Sequence, residues 1–470
     1  MLLLVVALAT ARLSHHQRHM RDVRRADARR GAAEEATLRV PYDHFNVRVD
    51  GALDVRYWTD ATHFDAGDPR APLLVMLGGE GPEDATSLAG RFVINTVAAE
   101  RRGFMLSIEH RFYGGSTPSL ALDALRYCTA EQALMDYVAV IDAVRERFDL
   151  WGRPVVVFGG SYSGNLAAWM RQKYPGTVDA SWASSAPVEA RVVFDAYLEA
   201  YQDAFPGNTA DLLGYAFDEY DGLVETASGR ATLGRLFNVC GTLEAADIPS
   251  FEEFVGTALA GVVQYNSSYG ARGEATIDRL SHAMAGDMVN RYAETVRTEI
   301  LEGECFNATY AETVRELSDT TTYAEGNEEA ASRSWVFQTC VAYGYYQAVS
   351  ENSTVKFGRL NTYDISYDMC RDVYKIEKDE IFRNAEHVNA RYGGKKPEVT
   401  NVVFICGTTD PWTRLAVTTA QKGNYVHVVT GTSHCADLYA EKASDLPELR
   451  EQRHKGLSFL ADVLDSLYDN

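Results

Sequence analysis

The chain is 470 residues long and 46% hydrophobic, enough to bury a large core and to fill more than one domain. With 45 Lys and Arg against 66 Asp and Glu, its formal charge of −21 excludes nucleic acid as a partner. The excess of carboxylates also limits self-repulsion at low pH, which suits an acidic organelle as well as plain solubility.

The first eleven residues, MLLLVVALATA, form a short apolar run with Ala9 and Ala11 placed for A-x-A cleavage. They read as a signal peptide (1–11) without a basic n-region, too short to span a bilayer. Residues 12–35 carry seven Arg against two Asp up to Arg30 and read as a basic pro-segment or a disordered tail. A first stretch of α/β core is expected over 36–190. Within it, APLLVMLGGEGP predicts a strand over 73–77 that runs into Gly78, Gly79, Glu80 and Gly81, where missing side chains let backbone approach a substrate. GFMLSIEH predicts a strand over 104–109. The loop after it, HRFYGGSTP, puts Ser116 beside two glycines, but Pro118 follows and no amphipathic helix begins, so Ser116 reads as a loop serine.

The stretch VVVFGGSYSGNLAAWMRQKYP is different. Val155 to Phe158 form an apolar, β-branched run, and after Ser161 the residues Leu166, Trp169, Met170 and Tyr174 recur at helical spacing until Pro175. Strand, abrupt turn and helix together form the context in which a serine hydroxyl is pushed clear of a sheet, provided the residues two before and two after are small. Here they are Gly159 and Ser163, the latter standing where glycine is usual.

From 191 to 390 the pattern changes. RVVFDAYLEAYQDAF, LLGYAFDEYDGLVETA and MVNRYAETVRTEIL have helical apolar spacing with charged opposite faces, and predict a helical cap inserted into the core. Asn266, Asn307 and Asn352 open glycosylation sequons. The core is expected to resume over 391–470. EVTNVVFICGTTDPW predicts a strand over 402–406 and a loop presenting Asp410 before Pro411; NYVHVVTGTSHCADLY predicts a strand over 425–429 and a loop presenting His434.

Ser161, Asp410 and His434 thus follow one another in the chain order of an α/β-hydrolase, each on a loop after a strand. His427, within a strand, and His454, in a charged terminal helix, are the weaker candidates for the base. In the expected chemistry Asp410 fixes the imidazole tautomer, His434 takes the serine proton and Ser161 attacks a carbonyl, while the backbone N–H groups of Tyr162 and Gly79 receive the oxyanion. Trp412, Trp335 and Phe337 offer apolar faces for substrate, Gln338 a group for a peptide carbonyl, and Glu80 a partner for a substrate amine. No His/Cys grouping suggests a metal, and no cofactor is expected.

The blocks DHFN (43–46), RYW (56–58), GGEGP, IEHRFYG, RYCTAEQALMDY, GGSYSG, WVFQTCVAYGYYQ, DPW and GTSHCADLY resemble, in order from about residue 41 to 440, the serine peptidase family of lysosomal prolyl carboxypeptidase, dipeptidyl peptidase II and thymus-specific serine protease. The resemblance implies an α/β-hydrolase fold with a large helical cap, a triad at Ser161, Asp410 and His434, and metal-free hydrolysis of short peptides beside proline. It also implies secretory, lysosomal or extracellular residence, short peptides as partners and no stable membrane insertion; a homodimer is open. Disulfides Cys240–Cys305 and Cys340–Cys370 are implied in the same way, while Cys128 and Cys406 are as readily free thiols. Cys435 and Tyr439 stand where the prolyl carboxypeptidase and dipeptidyl peptidase branches have His and Arg, which moves the chain toward the thymus-specific branch. Ala342 stands where Glu is common, so carboxypeptidase and dipeptidyl peptidase activity both stay open. An esterase or lipase, or a catalytically silent binding protein on the same fold, are the alternatives.

Overall fold

A computed structural model describes residues 33–266, 277, 288–301, 303–322 and 328–469. The signal peptide and all but the last three residues of the 12–35 tail lie outside them. Glu34 and Glu35, read as tail, already belong to the first strand.

The centre of the molecule is an eight-stranded sheet. In chain order its strands are β1 (Glu34–Pro41), β2 (Ala52–Asp60), β3 (Leu73–Leu77), β4 (Phe104–Ile108), β5 (Val155–Gly160), β6 (Ala180–Ser184), β9 (Val402–Gly407) and β10 (Tyr425–Val429). β7 (Arg191–Val193) and β8 (Gly344–Tyr346) pair separately. The spatial order is β1-β2-β4-β3-β5-β6-β9-β10. β2 runs antiparallel to both its neighbours and every other pair is parallel, which is the α/β-hydrolase arrangement. β3, β4, β6 and β9 are buried at every residue and β5 at all but its last, as strands covered by helices on both faces must be. Their continuous Val, Leu, Ile and Phe content follows from that double burial.

β10 is one edge, and its residues are half-buried except the buried Val429. Helix Tyr162–Lys173 packs on β5 and β6, and helix Pro447–Ser466 covers the sheet near β10. Active residues therefore sit where parallel strands end and loops leave the sheet, on its carboxyl edge.

Between β6 and β9 the chain is mostly helical, as the apolar spacing predicts, except for the short β7–β8 pair. Ten of its helices are described, from Ala196–Asp203 to Lys378–Tyr392, with π-helical turns at Val296–Ile300 and Thr339–Tyr343. Their core is aromatic: Phe251 stacks on Tyr220 and Phe306, and Phe217 packs on Tyr292. Disulfides join Cys240 to Cys305 and Cys340 to Cys370, the pairs the family resemblance implies. Cross-links spanning 65 and 30 residues stabilise by about 3–4 kcal/mol each through the entropy they remove from the unfolded chain. Cys128, Cys406 and Cys435 are free and buried. Among the described residues no helix is long and apolar enough to cross a membrane, and no cluster of three His, Cys, Asp or Glu could hold a metal ion.

Candidate active site

β5 ends at Gly160, and Ser161 stands between it and helix Tyr162–Lys173 with φ 59° and ψ −128°. A side chain in that conformation costs about 1–3 kcal/mol and persists only where its surroundings enforce it. The enforcement is visible on both sides. A Cβ on Gly159 would lie 2.0 Å from the Ser163 carbonyl oxygen, and one on Gly164 would lie 2.9 Å from that of Ser184, so neither position accepts a side chain. Ser163 fits where glycine is usual because its Oγ accepts the Gly160 N–H at 3.0 Å and donates to the Gly160 carbonyl at 2.8 Å, closing the turn. The Ser161 N–H donates to Ser184 on β6 at 3.0 Å.

The other two residues come from the loops after β9 and β10. His434 Nδ1 lies 2.9 Å from Asp410 Oδ2, with both side chains buried. A carboxylate only accepts, so Nδ1 carries the hydrogen, and in the neutral ring Nε2 presents its lone pair. Asp410 is held in turn by the Trp412 N–H on Oδ1 at 2.9 Å. Burial by itself would lower the pKa of His434, but the adjacent Asp410 carboxylate together with the Cys435 side chain outweighs it and holds the imidazole above its ordinary range.

His434 sits beside the elbow. A Cβ on Gly160 would lie 3.0 Å from the sulfur of Cys435, so the residue after the histidine presses on the residue before the serine. Ser161 Oγ and His434 Nε2 are both buried and neither has a hydrogen-bond partner. Orphaned polar atoms of that kind are rare in protein interiors, and reacting groups whose hydrogen bonds tighten only around substrate are one recognised cause.

The glycine loop after β3 reaches the same place. Gly78 is fixed at its N–H by Ile108 (2.8 Å) and at its carbonyl by the Tyr137 hydroxyl (2.9 Å). A Cβ on Gly79 would lie 3.3 Å from that of Ser163. Tyr162 is the first residue of its helix, so its N–H has no acceptor four residues back. Glu80 is buried within electrostatic reach of Tyr265 and Tyr345.

The rivals lie elsewhere. Ser116 Oγ donates to Glu109 at 2.7 Å and accepts the Arg56 N–H at 2.9 Å, which makes it a fixed part of a buried ion pair. His427 pairs with Glu448 and His454 with Glu441.

Of the five side chains read as substrate contacts, the four besides Glu80 are buried in packing. The Trp412 indole is enclosed by Phe194, Tyr197 and Tyr345 and donates Nε1–H to Gln264 at 3.0 Å. Trp335 packs on the Tyr162 ring and Phe337 on Tyr374. Gln338 donates to the Tyr162 hydroxyl at 2.9 Å and accepts from Tyr113. His110 completes this cluster, 3.1 Å from the same hydroxyl; burial pushes its pKa down to about 4, so it stays neutral. The cluster thus anchors the phenol of the residue whose N–H faces the elbow.

Of the sequon asparagines, Asn307 is bonded locally to Thr309 and Asn352 is exposed, whereas the Asn266 carbonyl accepts from the hydroxyl of Ser433, next to His434. The segment Gln264–Asn266 was not legible in advance. It lies in the helical region, carries no motif beyond the Asn266 sequon, and meets the site through tertiary contacts: the His434 N–H donates to the Gln264 carbonyl at 2.8 Å, and the half-buried Tyr265 ring stands edge-on to the imidazole at 5.9 Å.

Comparison with known proteins completes the picture. The family model described as serine carboxypeptidase S28 matches residues 40–456. Thymus-specific serine protease of Mus musculus is 30% identical over 460 residues, spanning 92% of this chain and 88% of its own. The Homo sapiens protein of that name is 31% identical, spanning 87% and 82%. Lysosomal Pro-X carboxypeptidase of Mus musculus is 25% identical, spanning 76% of each.

Proposed function

The chain belongs to the serine carboxypeptidase S28 family and is a serine peptidase, and on that premise we propose that Ser161 is its nucleophile, His434 the general base and Asp410 the residue that orients the base. One observation carries the reading: two buried atoms without partners, Ser161 Oγ and His434 Nε2, on loops that press against each other, with the far imidazole nitrogen taken by Asp410.

In the first step Oγ attacks the peptide carbonyl carbon while its proton passes to Nε2. The imidazolium so formed is stabilised by Asp410, and the oxyanion is received by the N–H groups of Tyr162 and Gly79. Nε2 then gives its proton to the leaving amine, and water, deprotonated by the same nitrogen, cleaves the acyl-enzyme. Because the base must be neutral to begin, kcat/KM should rise with pH through a pKa above the ordinary imidazole value of about 6.5.

The substrates we propose are short peptides cut near one end, beside proline. Support comes from the Pro-X carboxypeptidase among the relatives, from the half-buried Tyr265 ring next to His434, and from buried Glu80 as a partner for a substrate ammonium. A compact prolyl ring gains by apolar burial alone, about 1–3 kcal/mol, or tenfold to a few hundredfold over glycine. Two disulfides and three sequons support residence in the secretory pathway, where a shift on endoglycosidase treatment would register glycans.

The test is a fluorophosphonate label mapped by mass spectrometry, followed by kinetics on matched Xaa-Pro, Xaa-Ala and Xaa-Gly peptides. Label on Ser161 with preference in that order is expected. Equal kcat/KM on all three, or ready cleavage within folded proteins, removes the proline exopeptidase reading and leaves a broader peptidase.

A further inference from the structure

We propose that Gln264 is a positioning residue for the hydrolysis: one side chain of the helical insertion that sets the spacing between the Asp410 loop and the His434 loop. The inference rests on the triad reading above and adds a residue to it.

Gln264 closes the short helix Ala260–Gln264 and is 3% exposed. Its two acceptors face different loops. The main-chain carbonyl takes the N–H of His434 itself at 2.8 Å. The side-chain Oε1 takes the Trp412 indole N–H at 3.0 Å and the Tyr197 hydroxyl at 2.9 Å, which uses both of its lone pairs. Trp412 is not a passive partner, since its own backbone N–H holds Asp410 Oδ1 at 2.9 Å. A continuous chain of bonds therefore runs from the Asp410 carboxylate through Trp412 and Gln264 to the backbone of His434.

The two loops are also joined at their bases, where Thr409 donates its N–H (3.0 Å) and hydroxyl (2.6 Å) to the Thr432 carbonyl. That base contact belongs to the sheet and does not involve the insertion. The Gln264 contact fixes the far end, where the imidazole meets the carboxylate. Without the Oε1 acceptor, the indole N–H and the tyrosine hydroxyl are left buried and unpaired, and Trp412 moves to relieve them. Asp410 moves with it, and a misplacement of about 1 Å in a reacting constellation costs on the order of 10²-fold in rate.

The experiment compares Gln264→Leu, Gln264→Glu and Trp412→Phe with the wild type, using full-length glycosylated protein and counting active enzyme by fluorophosphonate titration. Gln264→Leu keeps the volume and loses the acceptor. It should lower kcat per titrated site about 10- to 100-fold with KM within about twofold. Its acid limb in kcat/KM should move to lower pH, because a loosened Asp410 raises the imidazole pKa less. Gln264→Glu, which restores the oxygen, should recover most of both. Trp412→Phe removes only the donor end of the bond and should shift kcat and the pH limb the same way by less, which decides the matter even where Gln264→Leu does not fold. If either variant lowers the melting temperature yet leaves kcat per titrated site and the acid limb at wild-type values, the role of Gln264 is structural and the inference is overturned. Failure of the triad reading gives a separate signature: Ser161→Ala would keep turnover, or the wild type would be labelled elsewhere.

Discussion

In the sheet half, Arg111 and Asp136 are both fully buried, bonded to each other at 2.6 Å, and joined by His44 at 2.7 Å. In the helical insertion Glu252 is equally buried but has no ion-pair partner of its own, with only the Tyr220 hydroxyl and the Leu360 backbone beside it. Burial outweighs the help that the Tyr220 hydroxyl and the Leu360 backbone give the charged form, Asp221 adds like charge, and Arg359 is engaged with Asp218 and Asp221. Burial pushes its pKa up to about 8, so the insertion keeps a proton there that an unfolded chain would release near 4.5. A carboxyl raised in this way binds more protons folded than unfolded; its contribution is therefore best below about 4.5 and is lost progressively as pH climbs to about 8. In the proposed mechanism the triad has the opposite slope, since His434 as general base must lose its proton to act. Glu252 thus favours acid for stability while the proposed base favours higher pH for the chemistry, and on that reading the working range lies between the two.

The largest test of that division is chemical. Ser161→Ala and His434→Ala should each lower kcat roughly 10⁴- to 10⁶-fold, and the double variant should be little worse, because the members act as a unit. Both should melt as the wild type does; a loss of insertion stability in either would mean that the halves are not separable. Next, Arg111→Met leaves Asp136 buried without its main partner and should cost about 3–5 kcal/mol in urea titrations, at every pH between 5 and 8. Glu252→Gln keeps the shape and removes the charge. It should stabilise by about 2–4 kcal/mol at pH 8 and change little at pH 4, so a pH-independent gain would show that Glu252 is not the source of the slope. Smallest of all, His427→Ala should keep activity within about twofold, because its pair with Glu448 is solvent-screened and contributes little.

The candidate triad could be read from the sequence because Ser161 and Asp410 follow buried apolar strands and His434 follows a β-branched edge strand, and strand-then-loop is a local pattern. The blocks that carried the family resemblance have a plainer role than their catalytic neighbourhood suggests. DHFN supplies His44, IEHRFYG supplies Glu109 and Arg111, RYW supplies Arg56 and ALMDY supplies Asp136, and these residues form two buried ion clusters that fix the loop after β4. Other parts were hidden for physical reasons. β6, ASWAS, has small residues where Gly164 packs hard against its end at Ser184, and small residues carry no strand signal. β7 and β8 are three residues each and are set by pairing across a long separation. Trp412 and Gln338 looked like substrate contacts because aromatic and amide side chains near a triad invite that reading; burial turned both into support. Gln264 could not be found without the fold, since its partners lie in three separate stretches of chain.

The placement of the insertion between β6 and β9 also sets an order of assembly on the ribosome. β6 pairs with β5 on one side and, from Ser181↔Val402 onward, with β9 on the other. At roughly 5–20 residues per second, the strand that covers it emerges about ten to forty seconds after it does. For that interval a sheet edge stands open, the kind of surface on which nascent chains stick to one another. A sequence of alanines and serines around one tryptophan is a poor template for such sticking, and the small residues that hide β6 from a reader of the sequence are the same ones that keep it safe while it waits.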